Sequence, residues 1–345
     1  MTLPLIFAGL PAYSFYSKNA GKITLLHTLD LTRFNTYAPW VRQLEALNRM
    51  TVYQFRIHTR LTSTIAKRPL LPNLRILSLS GKLEVPLGDY ESILELFVCP
   101  SLVEIRHKSD SGSTHYLKPS AACLLIQKIS AVCPGIQKLG FYPDDDNVSR
   151  NDSSSLAFSP DAAFLESMAG FLNLRSFSST GSILKPAVLK ALGVLPLSST
   201  LAISDYCSRG PRNPTFEKDP RVVDALFPSL RNLQIYALNP RDITAIWTQP
   251  WLVLNLRTVT IQCCPDTPVP NRLNGERKTP AGQKWINTFL AKLPRKSPHI
   301  EELDLQFNTY PRDRRPYPLS GARQHLLRLP LRRVQLQIDD STVKL

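Results

Sequence analysis

Polar and charged side chains recur at every second position of several short apolar segments, and these side chains are the candidate binding groups of the chain. They are Glu104, Arg106, Lys108, Lys138, Tyr142, Asn232, Gln234, Tyr236, Thr258, Thr260, Gln262, Glu302, Asp304, Gln306, Arg333, Gln335 and Gln337. Successive side chains alternate between the two faces of a strand, so these residues are expected to share one face. Rows of hydrogen-bonding, charged and aromatic groups suit noncovalent recognition of a protein, and the same rows also fit a merely solvated strand surface.

Patterns typical of catalytic and metal sites are incomplete in this sequence. The run Asp144-Asp145-Asp146 lacks the alternating ligands, central glycine and closing glutamate of a calcium loop, so it is interpreted as a solvated loop. Ser182-x-x-Lys185 lacks the companion motifs of the serine enzymes that use S-x-x-K. Phosphate-binding, dinucleotide-binding and zinc-protease motifs do not occur, and the histidines are dispersed. We therefore expect no enzymatic activity, no cofactor and no metal.

The apolar residues between the candidate groups follow the pattern L-x-x-L-x-L, as in Leu74-Arg75-Ile76-Leu77-Ser78-Leu79. Further copies begin at Leu26, Leu102, Ile136, Leu174, Ser198, Leu230, Leu256, Ile300 and Leu331. Helical segments are predicted between the copies, and strands that alternate with helices form parallel sheets. The sequence therefore predicts an α/β leucine-rich-repeat solenoid, with a curved parallel sheet on the concave side and helices on the convex side.

Helices are predicted where a capping residue or a proline precedes an apolar set, because both suit the unpaired N–H groups of a first turn. The predicted starts are Asp89, Ser120, Ser159-Pro160, Asp219-Pro220 and Asn239-Pro240. Apolar residues at helical spacing predict two further helices, over residues 36–47 and 281–293. Surface loops are predicted over residues 143–155, 207–218 and 264–280.

Two domain-level segments are predicted, a short one over residues 1–25 and a solenoid over residues 26–345. No apolar run is long enough to span a bilayer, so no membrane association is expected. The six cysteines form no C-x-x-C pair and most lie in apolar segments, which indicates a reducing intracellular compartment, cytoplasmic or nuclear.

Individual repeats resemble those of a known family. Ile300-x-x-Leu303-x-Leu305-x-x-Asn308 fits the full leucine-rich-repeat consensus. The copies that begin Cys99-Pro100-Ser101-Leu102 and Phe227-Pro228-Ser229-Leu230, together with Tyr37–Leu44, resemble F-box/leucine-rich-repeat proteins, particularly the expanded fungal (basidiomycete) set. The resemblance covers the chain from about Leu26 to its end.

This resemblance implies a substrate receptor of a cullin–RING ubiquitin ligase, in which F-box helices bind a Skp-type adaptor and the repeats hold the target protein. The L-P-x-E-I motif of an F-box is not found, and about 25 residues precede the first repeat. Residues 1–25 are therefore interpreted as a cap or an F-box remnant. The adaptor and the cullin are expected as partners only if an F-box is supplied.

The net charge of +15 gives an alternative interpretation, a nucleic-acid-binding repeat protein. Lys and Arg residues do occur among the candidate groups, but acidic residues interleave with them, and no nucleic-acid-binding motif is found. A protein partner is the preferred hypothesis.

Overall fold

The computed structural model describes residues 32–46, 69–80, 97–108, 117, 119–143, 158–204, 227–238, 240–263, 281–307, 324–338 and 341–344. The chain divides into two compact units. The first unit comprises Met1–Asp145 and Leu156–Leu174, and the second comprises Asp146–Ser155 and Arg175–Leu345. Both units combine parallel strands with helices, so the fold class is α/β. The predicted boundary between residues 25 and 26 lies outside the described residues.

Among the described residues, the first unit contains four parallel strands that pair in sequence order. They are β1 (Gln43–Ala46), β2 (Ile76–Ser80), β3 (Glu104–Lys108) and β4 (Lys138–Phe141). Its helices are α1 (Thr32–Tyr37), which continues into a 3-10 turn at Ala38–Trp40, α2 (Pro119–Val132) and α3 (Ala162–Ala169). The register places one buried apolar residue of each strand in a lateral row, formed by Leu44, Leu77, Ile105 and Leu139.

The described part of the second unit contains six parallel strands in sequence order, followed by an antiparallel strand. They are β5 (Ser176–Ser179), β6 (Thr200–Ser204), β7 (Asn232–Leu238), β8 (Thr258–Cys263), β9 (Glu302–Phe307), β10 (Arg333–Ile338) and β11 (Ser341–Lys344). A 3-10 turn spans Gly181–Leu184, and the helices are α4 (Pro186–Gly193), α5 (Pro240–Trp247), α6 (Pro250–Val253) and α7 (Ala281–Lys296).

The second unit has a continuous apolar row across its parallel strands, formed by Phe177, Leu201, Leu233, Val259, Leu303 and Val334. Every member of this row is buried. Burial of one such side chain stabilises the fold by about 1.5–3 kcal/mol, so the row provides a strong reason for the observed register. The leucine positions of the repeats therefore form the core, as the sequence predicts.

The prediction of a helix over residues 36–47 is wrong. Thr32–Tyr37 are helical, but Gln43–Ala46 form β1 and pair with β2 in parallel register. Val41 and Leu44 are three residues apart, a spacing that fits one face of a helix. It also fits the first two leucine positions of the L-x-x-L-x-L pattern, which forms a strand. Backbone pairing with β2 resolves the ambiguity in favour of the strand, because it satisfies the N–H and C=O groups of the segment.

The predicted helix start at Ser159-Pro160 is also wrong. Helix α3 begins at Ala162, and its N-cap is Asp161, whose Oδ1 accepts a hydrogen bond from the Phe164 backbone N–H at 2.7 Å. A carboxylate is at least as good a cap as a hydroxyl, and it adds a favourable charge at the helix N-terminus.

Other predicted helices are confirmed. Helix α2 contains the predicted start at Ser120, α5 begins at Pro240, and α7 begins at Ala281 and extends three residues beyond the predicted end, to Lys296. The predicted starts at Asp89 and Asp219 and most of the three predicted loops lie outside the described residues.

The cysteines of the described ranges are free thiols. Cys99, Cys133 and Cys263 are buried, whereas Cys123 is half-buried. Burial raises the pKa of Cys133 to about 12, and its Sγ donates to the backbone carbonyl of Cys99 at 3.1 Å. Among the described helices, none has the length and apolar character that a membrane span requires.

Candidate partner-binding face

In the second unit, the residues that alternate with the buried apolar row align into three lateral rows. The first row is Ser176, Thr200, Asn232, Thr258, Glu302 and Arg333. The second is Ser178, Ala202, Gln234, Thr260, Asp304 and Gln335, and the third is Ser204, Tyr236, Gln262, Gln306 and Gln337. We refer to these three rows as the polar face. Neighbouring members of a row are about 4.8 Å apart, the spacing between strands.

The polar face contains every site residue predicted between Asn232 and Gln337. It also contains residues that the sequence analysis did not select, namely Ser176, Ser178, Thr200, Ala202 and Ser204. The repeat copies at Leu174 and Ser198 were recognised, so their positions could have been found. Their small side chains gave no chemical signal.

In the first unit, three of the predicted site residues are in contact, because Glu104 pairs with both Lys138 and Arg106. Its row partner across β3 and β4 is Lys138, whose Nζ lies 3.2 Å from Glu104 Oε1. Arg106, two residues along β3, donates through Nε to Glu104 Oε2 at 2.5 Å and also pairs with this oxygen through Nη2. One carboxylate therefore engages two of the predicted cationic groups.

The electrostatics of Glu104 agree with this arrangement. Partial burial alone would raise the pKa of its carboxyl, but hydrogen bonds from Arg106 and Lys138 and their positive charges lower it below its ordinary value. The carboxylate is thus ionised at neutral pH and offsets much of the local positive charge. This part of the first unit is not a free basic patch.

The two remaining predicted residues of the first unit differ in what the structure shows. Lys108 is the last residue of β3, and its side chain lies outside the described part of the structure. Tyr142 follows β4, and its backbone carbonyl accepts a hydrogen bond from the Leu117 N–H at 2.8 Å. The Tyr142 side chain is only 9% exposed, so it offers little surface to a partner.

Two side-chain hydrogen bonds run along strands of the polar face. The Tyr236 hydroxyl donates to Gln234 Oε1 at 3.3 Å, and Gln306 Nε2 donates to Asp304 Oδ2 at 3.4 Å. Burial raises the pKa of the Tyr236 phenol, and the negative charge of Asp304 raises it further. The charge of Asp304 therefore acts on the Tyr236 phenol although their strands, β7 and β9, are separated by β8.

Two acceptor oxygens of the polar face are buried without a donor. Asp304 Oδ1 and Asn232 Oδ1 have no hydrogen-bond partner among the described residues. An unsatisfied buried polar group costs about 1–3 kcal/mol, and such groups are uncommon in native structures. The polar face therefore has a surplus of acceptors near the centre of the second unit's sheet.

The backbone is strained directly after Tyr236. Ala237 has a φ of 61°, and it is the one non-glycine residue with a positive φ among those the structure describes. The pairing of β7 with β8 shifts register between Tyr236 and Leu238. Bulges and unfavourable backbone angles are over-represented at functional sites, where they direct a side chain.

Charge is unevenly distributed around the polar face. From β5 to β9 its charged members are Glu302 and Asp304, and the first cationic member is Arg333 on β10. Arginines instead occupy the position just before β5, β7, β8 and β10, at Arg175, Arg231, Arg257 and Arg332, which we refer to as the basic row. From β5 to β9 the polar face thus carries an acidic pair and no cation, in a chain of net charge +15.

The basic row is partly neutralised within the chain. Glu301 lies between two of its members, 3.5 Å from Arg257 Nη1 and 3.3 Å from Arg332 Nε. Arg231 turns its Nη1 back to the carbonyls of Pro228 and Leu230, at 3.0 and 2.9 Å. Fewer guanidinium groups are therefore available to an external anion than the sequence suggests.

The arrangement offers hydrogen bonds and a local negative charge, which suit noncovalent recognition. Within the described ranges, no group of three or more His, Cys, Asp or Glu side chains is placed to hold a metal ion. Comparison with models of known protein families finds no match, and comparison with curated proteins likewise finds none.

Proposed function

We propose that the chain is a leucine-rich-repeat scaffold that binds a partner protein through the polar face of its second unit. The observation that carries this proposal is the alignment of three polar rows above a buried apolar row, with two acceptors left unsatisfied. Support for the leucine-rich-repeat assignment comes from the recurrence of L-x-x-L-x-L, with Ile, Val or Phe at some leucine positions, at six of the nine described parallel strands from β2 to β10. The copies at β3, β5 and β6 are degenerate, with His107, Ser179 and Ser198 at one of the three apolar positions.

The polar face is suited to protein recognition because its side chains stand on paired strands backed by buried residues. Groups held in place lose little conformational entropy when they bind, so more of the interaction energy is retained as affinity. Tyr236 adds an aromatic ring beside hydrogen-bonding amides, a combination that is frequent at the centres of protein interfaces. Hydroxyls and amides on the remaining strands can bind polar groups of a partner's backbone.

The resemblance to F-box/leucine-rich-repeat proteins supports a finer proposal, in which the bound partner is a substrate of a ubiquitin ligase. The Skp-type adaptor and the cullin would then belong to the same complex. The polar face would hold the substrate, so the adaptor would bind elsewhere on the chain.

Nucleic-acid binding is the second candidate, and the basic row is the observation that favours it. Arg175, Arg257 and Arg332 are exposed and occupy the same position of their repeats, just before β5, β8 and β10. A titration with a labelled oligonucleotide between low and moderate salt tests this candidate. Affinity that depends on several phosphate contacts falls by orders of magnitude over this range, whereas a flat response contradicts nucleic-acid binding.

The proposed function is tested by affinity capture from native extract, with quantitative mass spectrometry of the retained proteins. Immobilised wild-type chain is compared with Asp304→Lys and Tyr236→Ala. Glu166→Lys serves as the charge-matched control, because Glu166 is an exposed residue of α3 in the first unit. We expect a defined partner to be retained by the wild type and the control and reduced about tenfold or more by the other variants.

The same capture separates the general proposal from the ligase proposal. A partner set that is equal for all four chains would contradict binding at the polar face. Retention of the adaptor and the cullin by every variant would support ligase membership, because the polar face is not their binding site. If neither is retained while another protein depends on Asp304, the ligase proposal fails and the scaffold proposal stands.

A further inference from the structure

We infer that the polar face recognises an arginine side chain on an extended segment of the partner protein, with Asp304 pairing to the guanidinium and Tyr236 packing against it. This inference rests on the proposed protein-binding function, and it specifies the chemistry of the partner at one position.

The local charge selects a cationic group. Asp304 lies on β9, the fifth of the six strands of the polar face, where its row neighbours are Thr260 on β8 and Gln335 on β10. No basic side chain of the described residues forms an ion pair with it. The closest charge along its own strand is Glu302, whose row neighbour on β10 is the cationic Arg333. Asp304 is thus the acidic residue of the polar face that a partner's cation can pair with, because no salt bridge within the described residues uses its charge.

The hydrogen-bonding capacity of Asp304 is also largely unused. A carboxylate can accept about four hydrogen bonds, and this one accepts a single long bond, at 3.4 Å from Gln306. Its Oδ1 is buried and has no donor among the described residues. The other oxygen, Oδ2, accepts the one bond from Gln306 and retains a lone pair for a donor from a partner.

The neighbouring groups favour a guanidinium over an ammonium ion. The planar fork of arginine donates two parallel hydrogen bonds to one carboxylate and keeps further donors for nearby acceptors, such as Gln234 Oε1. Tyr236 stands two strands from Asp304, and its half-buried ring provides an aromatic surface for a planar cation. A lysine would form a single point contact with Asp304, without the parallel pair of hydrogen bonds that a guanidinium donates.

The backbone at Ala237 supplies an independent argument for a site at Tyr236. Ordinary strand geometry would have avoided both the positive φ and the register shift that follow Tyr236. Because this strain is located beside the proposed arginine position, it is consistent with a backbone that holds the phenol ring in a required orientation.

The inference is tested by selecting binders from a library of random short peptides, with the full chain immobilised as the target. The selection is done in moderate salt with heparin present, because heparin competes for the basic row. We expect arginine to be enriched at one aligned position on the wild type and to return to its input frequency on Asp304→Asn and Tyr236→Ala. Glu301→Gln is the matched control. It also removes a carboxylate near β9, but this carboxylate already pairs with Arg257 and Arg332 and is not part of the polar face. Circular dichroism verifies that each variant is folded.

A selected peptide is then synthesised with arginine, lysine or citrulline at the enriched position. We expect the affinity of the arginine peptide to fall about tenfold or more with citrulline and with Asp304→Asn, and to fall less with lysine. Equal affinity for the lysine peptide would overturn the choice of a guanidinium. Selected peptides that lack arginine and are indifferent to Asp304→Asn would overturn the inference while leaving the proposed protein-binding function in place. Failure to select any peptide would also overturn it, and the extract capture would then decide the proposed function separately.

Discussion

Asn73 donates a hydrogen bond through Nδ2 to the backbone carbonyl of Pro39, at 2.8 Å and across 34 residues of sequence. The same relationship recurs inside each unit, where a Ser or Asn just before a repeat's first leucine reaches a proline carbonyl in an earlier turn. The other pairs are Ser101 with Pro72 at 2.8 Å, Asn173 with Pro134 at 3.0 Å, and Ser229 with Pro196 at 2.5 Å. The P-S-L and L-N-L motifs therefore connect successive turns, in addition to placing the leucine.

We expect Asn73→Ala to lower the free energy of unfolding by about 1 kcal/mol, because it leaves the partly buried Pro39 carbonyl without its side-chain donor. The measurement is urea denaturation monitored by circular dichroism. The slope of the free energy of unfolding against urea concentration is expected to be the same in both proteins. Asn255→Ala is the matched control. Asn255 also stands in an L-N-L motif but is exposed, and the carbonyl of Pro228 accepts from Arg231 instead. An equal loss of stability in both variants would contradict a role for the inter-turn bond.

The strands were predictable from the sequence because burial of leucine rows dominates their register. The copies at Leu74 and Leu230, for example, lead into β2 and β7 as predicted. The role of Asn73 was not predictable, since its acceptor belongs to another turn. Strand β11 carries no L-x-x-L pattern, and its antiparallel pairing with β10 depends on an available strand edge.

The composition of the polar face followed from the same periodicity, but its energetics did not. Alternation of side chains predicts that Gln234, Tyr236 and Asp304 share a surface. It does not predict that Asp304 lacks a donor, or that Tyr142 is buried next to the segment around Leu117. These properties depend on neighbouring strands and on segments that carry no repeat.

The carboxyl of Glu104 gives a prediction for the pH dependence of stability. A carboxyl whose pKa is lowered in the folded state contributes stability above its unfolded pKa, and this contribution is lost as the pH falls through the folded pKa. We expect Glu104→Gln to cost no more than about 1 kcal/mol at pH 7, since Arg106 and Lys138 are 42% and 50% exposed and solvent screens their charges. The two proteins are expected to converge in stability as the pH falls below the folded pKa of Glu104, which lies under the ordinary value for a glutamate.

Unfolding in urea at a series of pH values tests this prediction. Glu166→Gln is the control, because Glu166 is an exposed carboxylate without an ion pair among the described residues. A difference between wild type and Glu104→Gln that does not change between neutral and acidic pH would contradict the proposed ion pairing.

Replacement of Ala237 tests whether the backbone after Tyr236 is strained. A left-handed conformation costs a residue with a Cβ about 1–2 kcal/mol, and replacement by glycine relieves this strain. The greater flexibility of glycine in the unfolded state offsets part of the stability gained in this way. We expect Ala237→Gly to raise the free energy of unfolding by up to about 1 kcal/mol. Ala202→Gly, on a strand residue without a positive φ, is expected to lower it by about 0.5–1 kcal/mol. Destabilisation of equal size by both changes would contradict strain at Ala237.

The proximity of Tyr236 and Asp304 can be measured through the ionisation of the phenol. Burial raises the pKa of Tyr236 first and the charge of Asp304 adds to it, so Asp304→Asn is expected to lower this pKa while leaving it above the ordinary value. The difference in phenolate absorbance between wild type and Tyr236→Phe, followed against pH, gives the titration of Tyr236 alone. The same difference is then measured between Asp304→Asn and the double variant that also carries Tyr236→Phe. Glu301→Gln is the control background, in which the pKa of Tyr236 should not change.

The raised pKa also sets the sign of an effect on stability. A phenol that resists ionisation in the folded state contributes stability below its unfolded pKa of about 10, and this stability is lost as the pH rises through the folded pKa. Wild type should therefore lose more stability than Tyr236→Phe in the alkaline range. If Asp304→Asn left the difference titration unchanged, Asp304 would be too far from Tyr236 for one guanidinium to contact both, and the arginine site would be contradicted on geometric grounds.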